Sequence, residues 1–120
     1  MVNILLVDDS DYIKETLKMI LKSAGHDVVG EAANAKEALA KYKALHPDIV
    51  LLDIVLKQAD GLETGIEALK EIINEDPLAK IFVVSALNQN ALINKVLKLG
   101  AKGFIAKPFE PEKLLQTVIT

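Results

Sequence analysis

The feature that most restricts the fold is a run of four apolar residues, Ile49-Val50-Leu51-Leu52, that stops at a carboxylate, Asp53. A continuous Ile/Val/Leu run this short, set off by His46-Pro47-Asp48, predicts a strand buried on both faces of a parallel sheet. An ionised carboxylate is costly to bury without partners. Asp53 is therefore expected at the carboxyl edge of the sheet, where open α/β sheets bind their ligands. The pattern recurs along the chain. Ile4-Leu5-Leu6-Val7 stops at Asp8 and Asp9, Ile81-Phe82-Val83-Val84 at Ser85, and Gly103-Phe104-Ile105-Ala106 at Lys107.

Helical patterns separate these runs. Asp9 or Ser10 can cap a helix whose apolar positions Ile13, Leu17, Ile20, Leu21 and Ala24 recur at three- and four-residue spacing, ending at Gly25. Asp27 to Ala32 carries Val28 and Val29 and predicts a further strand. Asn34 and Glu37 then have capping-box spacing for a helix running to about Leu45. After Asp53 comes a polar, Gly-containing stretch from Lys57 to Thr64, then a helix from about Gly65 to Glu75 bounded by Asp76-Pro77. Ala91 to Leu99 predicts a helix stopped by Gly100, and Pro111 opens a last short one at a favourable first-turn position. Strand and helix thus alternate five times, which predicts one α/β domain over residues 1–120, a doubly wound parallel sheet with helices on both faces.

Composition closes off other classes. At 120 residues and 51% hydrophobic content there is room for one core and not for two. No apolar stretch is long enough to span a bilayer, no signal-peptide pattern follows Met1, and there is no Cys, so a cytoplasmic protein without a membrane partner is expected. The net charge of −3, with both signs mixed along the chain, argues against a nucleic-acid-binding face. All 14 basic residues are Lys, so a phosphate would be held by Lys, a metal or backbone amides rather than by an Arg fork.

In a parallel sheet all carboxyl ends lie on one edge, so Asp8, Asp9, Asp53, Ser85 and Lys107 are expected to converge. Neighbouring carboxylates raise one another's pKa unless a cation intervenes. Mg²⁺ is the economical one, a hard ion that takes one or two carboxylates and completes its octahedron with water and phosphate. Lys107 adds a compact positive charge and Ser85 a hydroxyl donor. That inventory suits transfer of a phosphoryl group onto an aspartate, a reaction governed by positioning and by neutralising oxygen charge, with central Asp53 as nucleophile.

The ordered set Val7-Asp8-Asp9-Ser10, Leu52-Asp53-Ile54, Val84-Ser85-Ala86 and Phe104-Ile105-Ala106-Lys107-Pro108-Phe109 resembles the receiver domain of two-component response regulators, of the stand-alone chemotaxis type. The resemblance spans the chain. It implies a flavodoxin-like, five-stranded sheet of order 2-1-3-4-5. It also implies phosphoryl transfer to Asp53 from the phospho-histidine of a sensor histidine kinase or phosphotransfer protein. Mg²⁺ would be held by Asp8, Asp9, Asp53 and the backbone carbonyl of Val55, and the phosphate oxygens by Ser85 and Lys107. Ser85 and Phe104 would be the switch residues, the aromatic turning inward without the hydroxyl of the Tyr often found there. Output would pass to a downstream target protein through the face of the fourth helix, fifth strand and fifth helix, including Lys95, Lys98, Lys102 and Phe104. A cis Lys107-Pro108 bond is also usual in the family, and X-Pro bonds carry only a small trans preference.

One stretch departs from that pattern. Gly65, leading into the helical register of Ile66, Leu69, Ile72 and Ile73, is the better match to the family's Gly than Gly61, and it leaves four added residues between acceptor and helix, with Lys57 where Pro is usual. The stretch is expected to be a lengthened, flexible loop beside the acceptor, either a docking or covering segment or a tolerated surface insertion. Val55 and Leu87, apolar and two residues past Asp53 and Ser85, cannot orient a water, which predicts slow self-dephosphorylation.

Plainer readings stand beside these. Asp8 or Asp9 could merely cap the first helix, Ser85 could be a turn residue, Lys107 a solvated charge and Phe104 core; Ser10, Asp60 and Glu63 are expected to face solvent, His26 and His46 to carry no chemistry, and the other apolar residues to be core. A flavodoxin's phosphate loop, the G-x-G-x-x-G of a nicotinamide domain and the second Asp of an aspartyl phosphatase are all missing. The alternative function is a receiver-like adaptor that binds partners without phosphorylation.

Overall fold

The chain runs β1 (Asn3–Val7), α1 (Asp11–Ser23), β2 (Asp27–Ala32), α2 (Ala35–Leu45), β3 (Ile49–Asp53), β4 (Val55–Gln58), β5 (Gly61–Thr64), α3 (Gly65–Glu75), β6 (Ile81–Ala86), α4 (Asn90–Lys98), β7 (Gly103–Lys107) and α5 (Pro111–Ile119) in a computed structural model that describes residues 2–58, 61–86 and 90–119. Five of these strands form one parallel sheet in the order β2-β1-β3-β6-β7, the doubly wound order once the β4–β5 pair is set aside. Among the described residues no helix is long and apolar enough to cross a membrane.

The short apolar runs are buried on both sides, as a parallel sheet between two helical layers demands. Alternate residues feed two cores. Leu5, Val7, Val50, Leu52, Ile81 and Val83 meet Ala38, Leu69, Ile72 and Val96 of α2, α3 and α4. Ile4, Leu6, Ile49, Leu51, Val84 and Ile105 meet Leu17, Leu21, Leu114 and Val118 of α1 and α5. Truncating one of the fully buried leucines to Ala would cost about 2–5 kcal/mol, because the rigid sheet closes the cavity poorly.

Helix ends follow the polar signals. The Ser10 hydroxyl accepts the Ile13 N–H (3.3 Å) and so caps α1. At α2 the box is reciprocal: Asn34 Oδ1 accepts the Glu37 N–H (2.9 Å) while a Glu37 carboxylate oxygen accepts the Ala33 N–H (3.1 Å). The two histidines are structural. His26 is buried and its Nδ1 accepts the Val2 N–H (3.2 Å), and His46, at φ 45°, closes α2 by donating its N–H to the Tyr42 carbonyl (2.9 Å).

Two expectations need correction. The stretch after Asp53 is not an irregular loop: β4 and β5 pair antiparallel, with Val55 opposite Thr64 and Gln58 opposite Gly61, as a ribbon outside the main sheet. Nor are all remaining apolar residues core, since Tyr12, Met19 and Leu78 are 78%, 73% and 83% exposed. Tyr12 and Met19 lie two turns apart on α1, off the stripe that buries Leu17 and Leu21, and Leu78 sits in the α3–β6 connection.

Candidate functional site

The register of the sheet builds the site. Val7 is opposite Leu52, so Asp8 and Asp53 occupy the next rung of the adjacent strands β1 and β3. Both follow the two-residue alternation that sends Leu6 and Leu51 to the α1/α5 side, so both carboxylates leave the sheet on that side. On the other flank Asp53 is opposite Val84 of β6, and Ala86 of β6 is opposite Lys107 of β7. Lys107 therefore starts two rungs beyond Asp53, and it shares the parity of Ile105, which faces the same core. A long side chain from there reaches back over the edge.

It does so. Lys107 Nζ lies 3.3 Å from Asp53 Oδ2 and 3.9 Å from Asp8 Oδ2. One carboxylate oxygen from each of Asp8, Asp9 and Asp53 lies within 4.8 Å of the others, Asp8 and Asp53 being buried and Asp9 half-buried. Asp8 divides its oxygens. Oδ1 accepts the Ser10 N–H at 2.8 Å, an Asx turn ahead of the helix that Ser10 itself caps, while Oδ2 faces Lys107, so Asp8 is not the cap of α1. Burial, above all, lifts the Asp8 pKa from its ordinary 3.8 to about 6. The Ser10 N–H opposes the rise, the Asp53 charge adds to it, Lys107 opposes it and Asp9 adds a little. The donor set fits a hard divalent cation: three clustered carboxylates, oxygen only, with mutual repulsion that an ion would relieve.

Other expected residues stand differently. Ser85 is buried on β6, one rung past the partner of Asp53, which puts it at the same edge by register. Phe104 is opposite Val83, three residues below Lys107, and at 41% exposed it is neither core nor part of the acidic cluster. It walls a cleft of about 550 Å³ between β7 and α5, with Pro108, Phe109, Lys113 and Thr117 among the other lining residues. Lys95, Lys98 and Lys102 are exposed on the neighbouring surface. The Lys107–Pro108 bond is cis. Val55 follows the site directly as the first residue of β4; its side chain, and Leu87 altogether, lie outside the described residues.

Two contributors carry weaker sequence signals. Ser10, expected to face solvent, orients the Asp8 carboxylate through its N–H as well as capping α1; the signal was its place two residues past an Asp, the Asx-turn spacing. Gly65 lies against the acceptor itself. Its N–H donates to the Ile54 carbonyl (2.6 Å), and a Cβ added there would overlap the Asp53 carbonyl oxygen and lie 3.0 Å from Ile54 Cα. Only glycine fits, which favours Gly65 over Gly61 as the start of the helix register.

The chain is similar to known proteins in both sequence and fold. The sequence pattern of the response regulator receiver domain matches residues 4–119. The chain is 45% identical over 115 residues to the chemotaxis protein CheY of Thermotoga maritima, covering 96% of this chain and 92% of that protein. It is 41% identical over 118 residues to CheY of Listeria monocytogenes, covering 98% and 96%. A chain of the CheX–CheY–BeF₃–Mg²⁺ complex from Borrelia burgdorferi superposes with a TM-score of 0.89 at 38% identity, covering 98% of this chain and 86% of that one.

Proposed function

The chain belongs to the response regulator receiver family, in its CheY-like branch, and from that premise we propose that it accepts a phosphoryl group on Asp53 from the phospho-histidine of a sensor kinase or phosphotransfer protein. The observation that carries this reading is the Lys107 ammonium 3.3 Å from the Asp53 carboxylate inside a cluster of three acids.

In the proposed reaction an Asp53 oxygen attacks phosphorus, and the new O–P bond forms as the P–N bond of the phospho-imidazole breaks. The imidazole leaves with that electron pair, its charge neutralised by the proton already on its other nitrogen or by one from solvent. The Lys107 ammonium, paired with Asp53 at rest, donates to a phosphoryl oxygen instead, and the Ser85 hydroxyl donates to another. Asp8, Asp9, Asp53 and the Val55 carbonyl would hold Mg²⁺, which when bound neutralises charge on the phosphoryl oxygens. Since the chain is itself the acceptor, it catalyses its own modification and turns over no metabolite.

Output, on this reading, is a changed protein-binding surface made by α4, β7 and α5. Phe104, outward and 41% exposed beside the β7–α5 cleft, has an inward position to gain when Ser85 is drawn to the phosphate. Lys95, Lys98 and Lys102 give the surface a positive rim for a downstream protein. The test is incubation with Mg²⁺ and a small phosphoryl donor, followed by mass mapping. One added phosphate on Asp53, absent without Mg²⁺ and absent from Asp53→Asn, is expected. No incorporation in the wild type would leave the phosphorylation-independent adaptor as the surviving account.

A further inference from the structure

The β4–β5 ribbon stands on the acceptor's own backbone. Its first residue, Val55, is separated from Asp53 only by Ile54, and its last, Thr64, is directly opposite Val55. Gly65 then closes the base, its N–H on the Ile54 carbonyl at 2.6 Å and its Cα where any Cβ would strike the Asp53 carbonyl oxygen. Both ends of the ribbon therefore converge on the Asp53–Ile54 peptide. An isolated two-stranded ribbon is marginally stable in water, and this one has no strand of the main sheet beside it among the described residues. So small a free energy is open to control by whatever its base touches.

We infer that Gly65 and the β4–β5 ribbon it closes are a positioning element for Asp53, so that a divalent cation with a phosphoryl group at the acidic edge and the closed ribbon stabilise each other. The inference rests on the proposed reading of that edge. The lever is short: the Asp53 carboxylate hangs from the peptide that Gly65 abuts, is buried, and holds Lys107 at 3.3 Å, so a shift of that peptide is carried straight into the cluster of acids. Coupling of this kind is reciprocal by thermodynamic necessity. Occupancy at Asp53 tightens the ribbon, and loss of the ribbon loosens the hold on the ion.

The experiment reads both directions. Amide hydrogen exchange of β4 and β5 is followed in the intact chain with and without Mg²⁺ plus beryllofluoride as phosphoryl mimic, and Mg²⁺ affinity is read from the amide shifts of Asp8, Asp9 and Asp53. In the wild type, exchange in the ribbon is expected to slow about tenfold on loading, within the range of ordinary coupling energies. Two variants break the link from opposite sides: Gly65→Ala, and replacement of residues 56–63 by two glycines, which keeps Gly65. Each is expected to remain folded by circular dichroism and to bind Mg²⁺ about tenfold more weakly. Should Gly65→Ala not fold, the ribbon replacement decides alone. Ribbon exchange indifferent to an ion that demonstrably binds, or wild-type affinity in the folded variants, overturns the inference while leaving the acidic site intact. Absence of any ion-dependent shift in the wild type overturns the site reading and this inference together.

Discussion

Asp8→Asn should stabilise the metal-free protein at neutral pH, although it removes a group from the centre of the site. Asp8 is 3% exposed, and its pKa rises from 3.8 to about 6, first through burial and then through the negative charge of Asp53. A folded-state pKa above the unfolded value means that ionisation is resisted by the fold. Below about pH 4 the carboxyl is protonated in both states and nothing is lost. Between about 4 and 6 the cost grows, and above 6 it is complete. At about 1.4 kcal/mol per pH unit the full cost is about 3 kcal/mol. Asn keeps an Oδ1 for the Ser10 N–H, and the attraction to Lys107 at 3.9 Å that it gives up is already contained in the net shift, which Lys107 lowers. The net gain expected at pH 7.5 is therefore about 3 kcal/mol, or about 12 °C in Tm for a chain of this length. Thermal unfolding followed by circular dichroism at pH 7.5 and pH 4, in buffer freed of divalent ions, measures it. At pH 4 the gain should fall below about 1 kcal/mol. An Asp8→Asn protein no more stable than the wild type at pH 7.5, or equally stabilised at both pH values, would refute the claim that ionised, buried Asp8 destabilises the ion-free fold.

The same charge balance governs the ion. Mg²⁺ at ten times its dissociation constant should stabilise the wild type by about 1.4 kcal/mol and Asp8→Asn by much less, read as a difference in Tm shift. Because the ion competes with the proton on Asp8, affinity measured by titration should weaken as pH falls through about 6, and binding at pH 6 should release protons into weakly buffered solution. Away from the site, Asn34→Ala breaks the reciprocal cap of α2 and should cost about 1 kcal/mol in urea unfolding without altering Mg²⁺ affinity. Tyr42→Phe removes the hydroxyl that donates to Asp76 Oδ2 at 2.8 Å, and urea unfolding should register a loss of about 1 kcal/mol, since water reaches half-buried Asp76.

The acidic edge is legible in the sequence because topology does the assembling. Once Ile4–Val7, Ile49–Leu52, Ile81–Val84 and Gly103–Ala106 are strands of one parallel sheet, their carboxyl ends meet whatever the detail of the loops, and the alternation of side chains sends Asp8, Asp53 and Lys107 to the same face. The β4–β5 ribbon obeys no such rule. Val55-Leu56-Lys57-Gln58 and Gly61-Leu62-Glu63-Thr64 do not alternate apolar with polar, so the Asp60-Gly61 pair, a hairpin signal when alternating strands flank it, stands without that support. Exposure of Tyr12 and Met19 was readable, since both fall off the α1 stripe of Leu17 and Leu21, but only by asking which face each residue occupies and not whether it is apolar. Gly65 is legible as the start of a helical register, but pattern does not say why it must be glycine. Its necessity comes from the Asp53 carbonyl oxygen, a backbone atom twelve residues earlier that no side-chain periodicity records. That is also why a residue whose Cβ would strike the proposed acceptor's carbonyl oxygen leaves so little trace in the sequence: backbone-to-backbone contact selects for the absence of a side chain, and absence has no period.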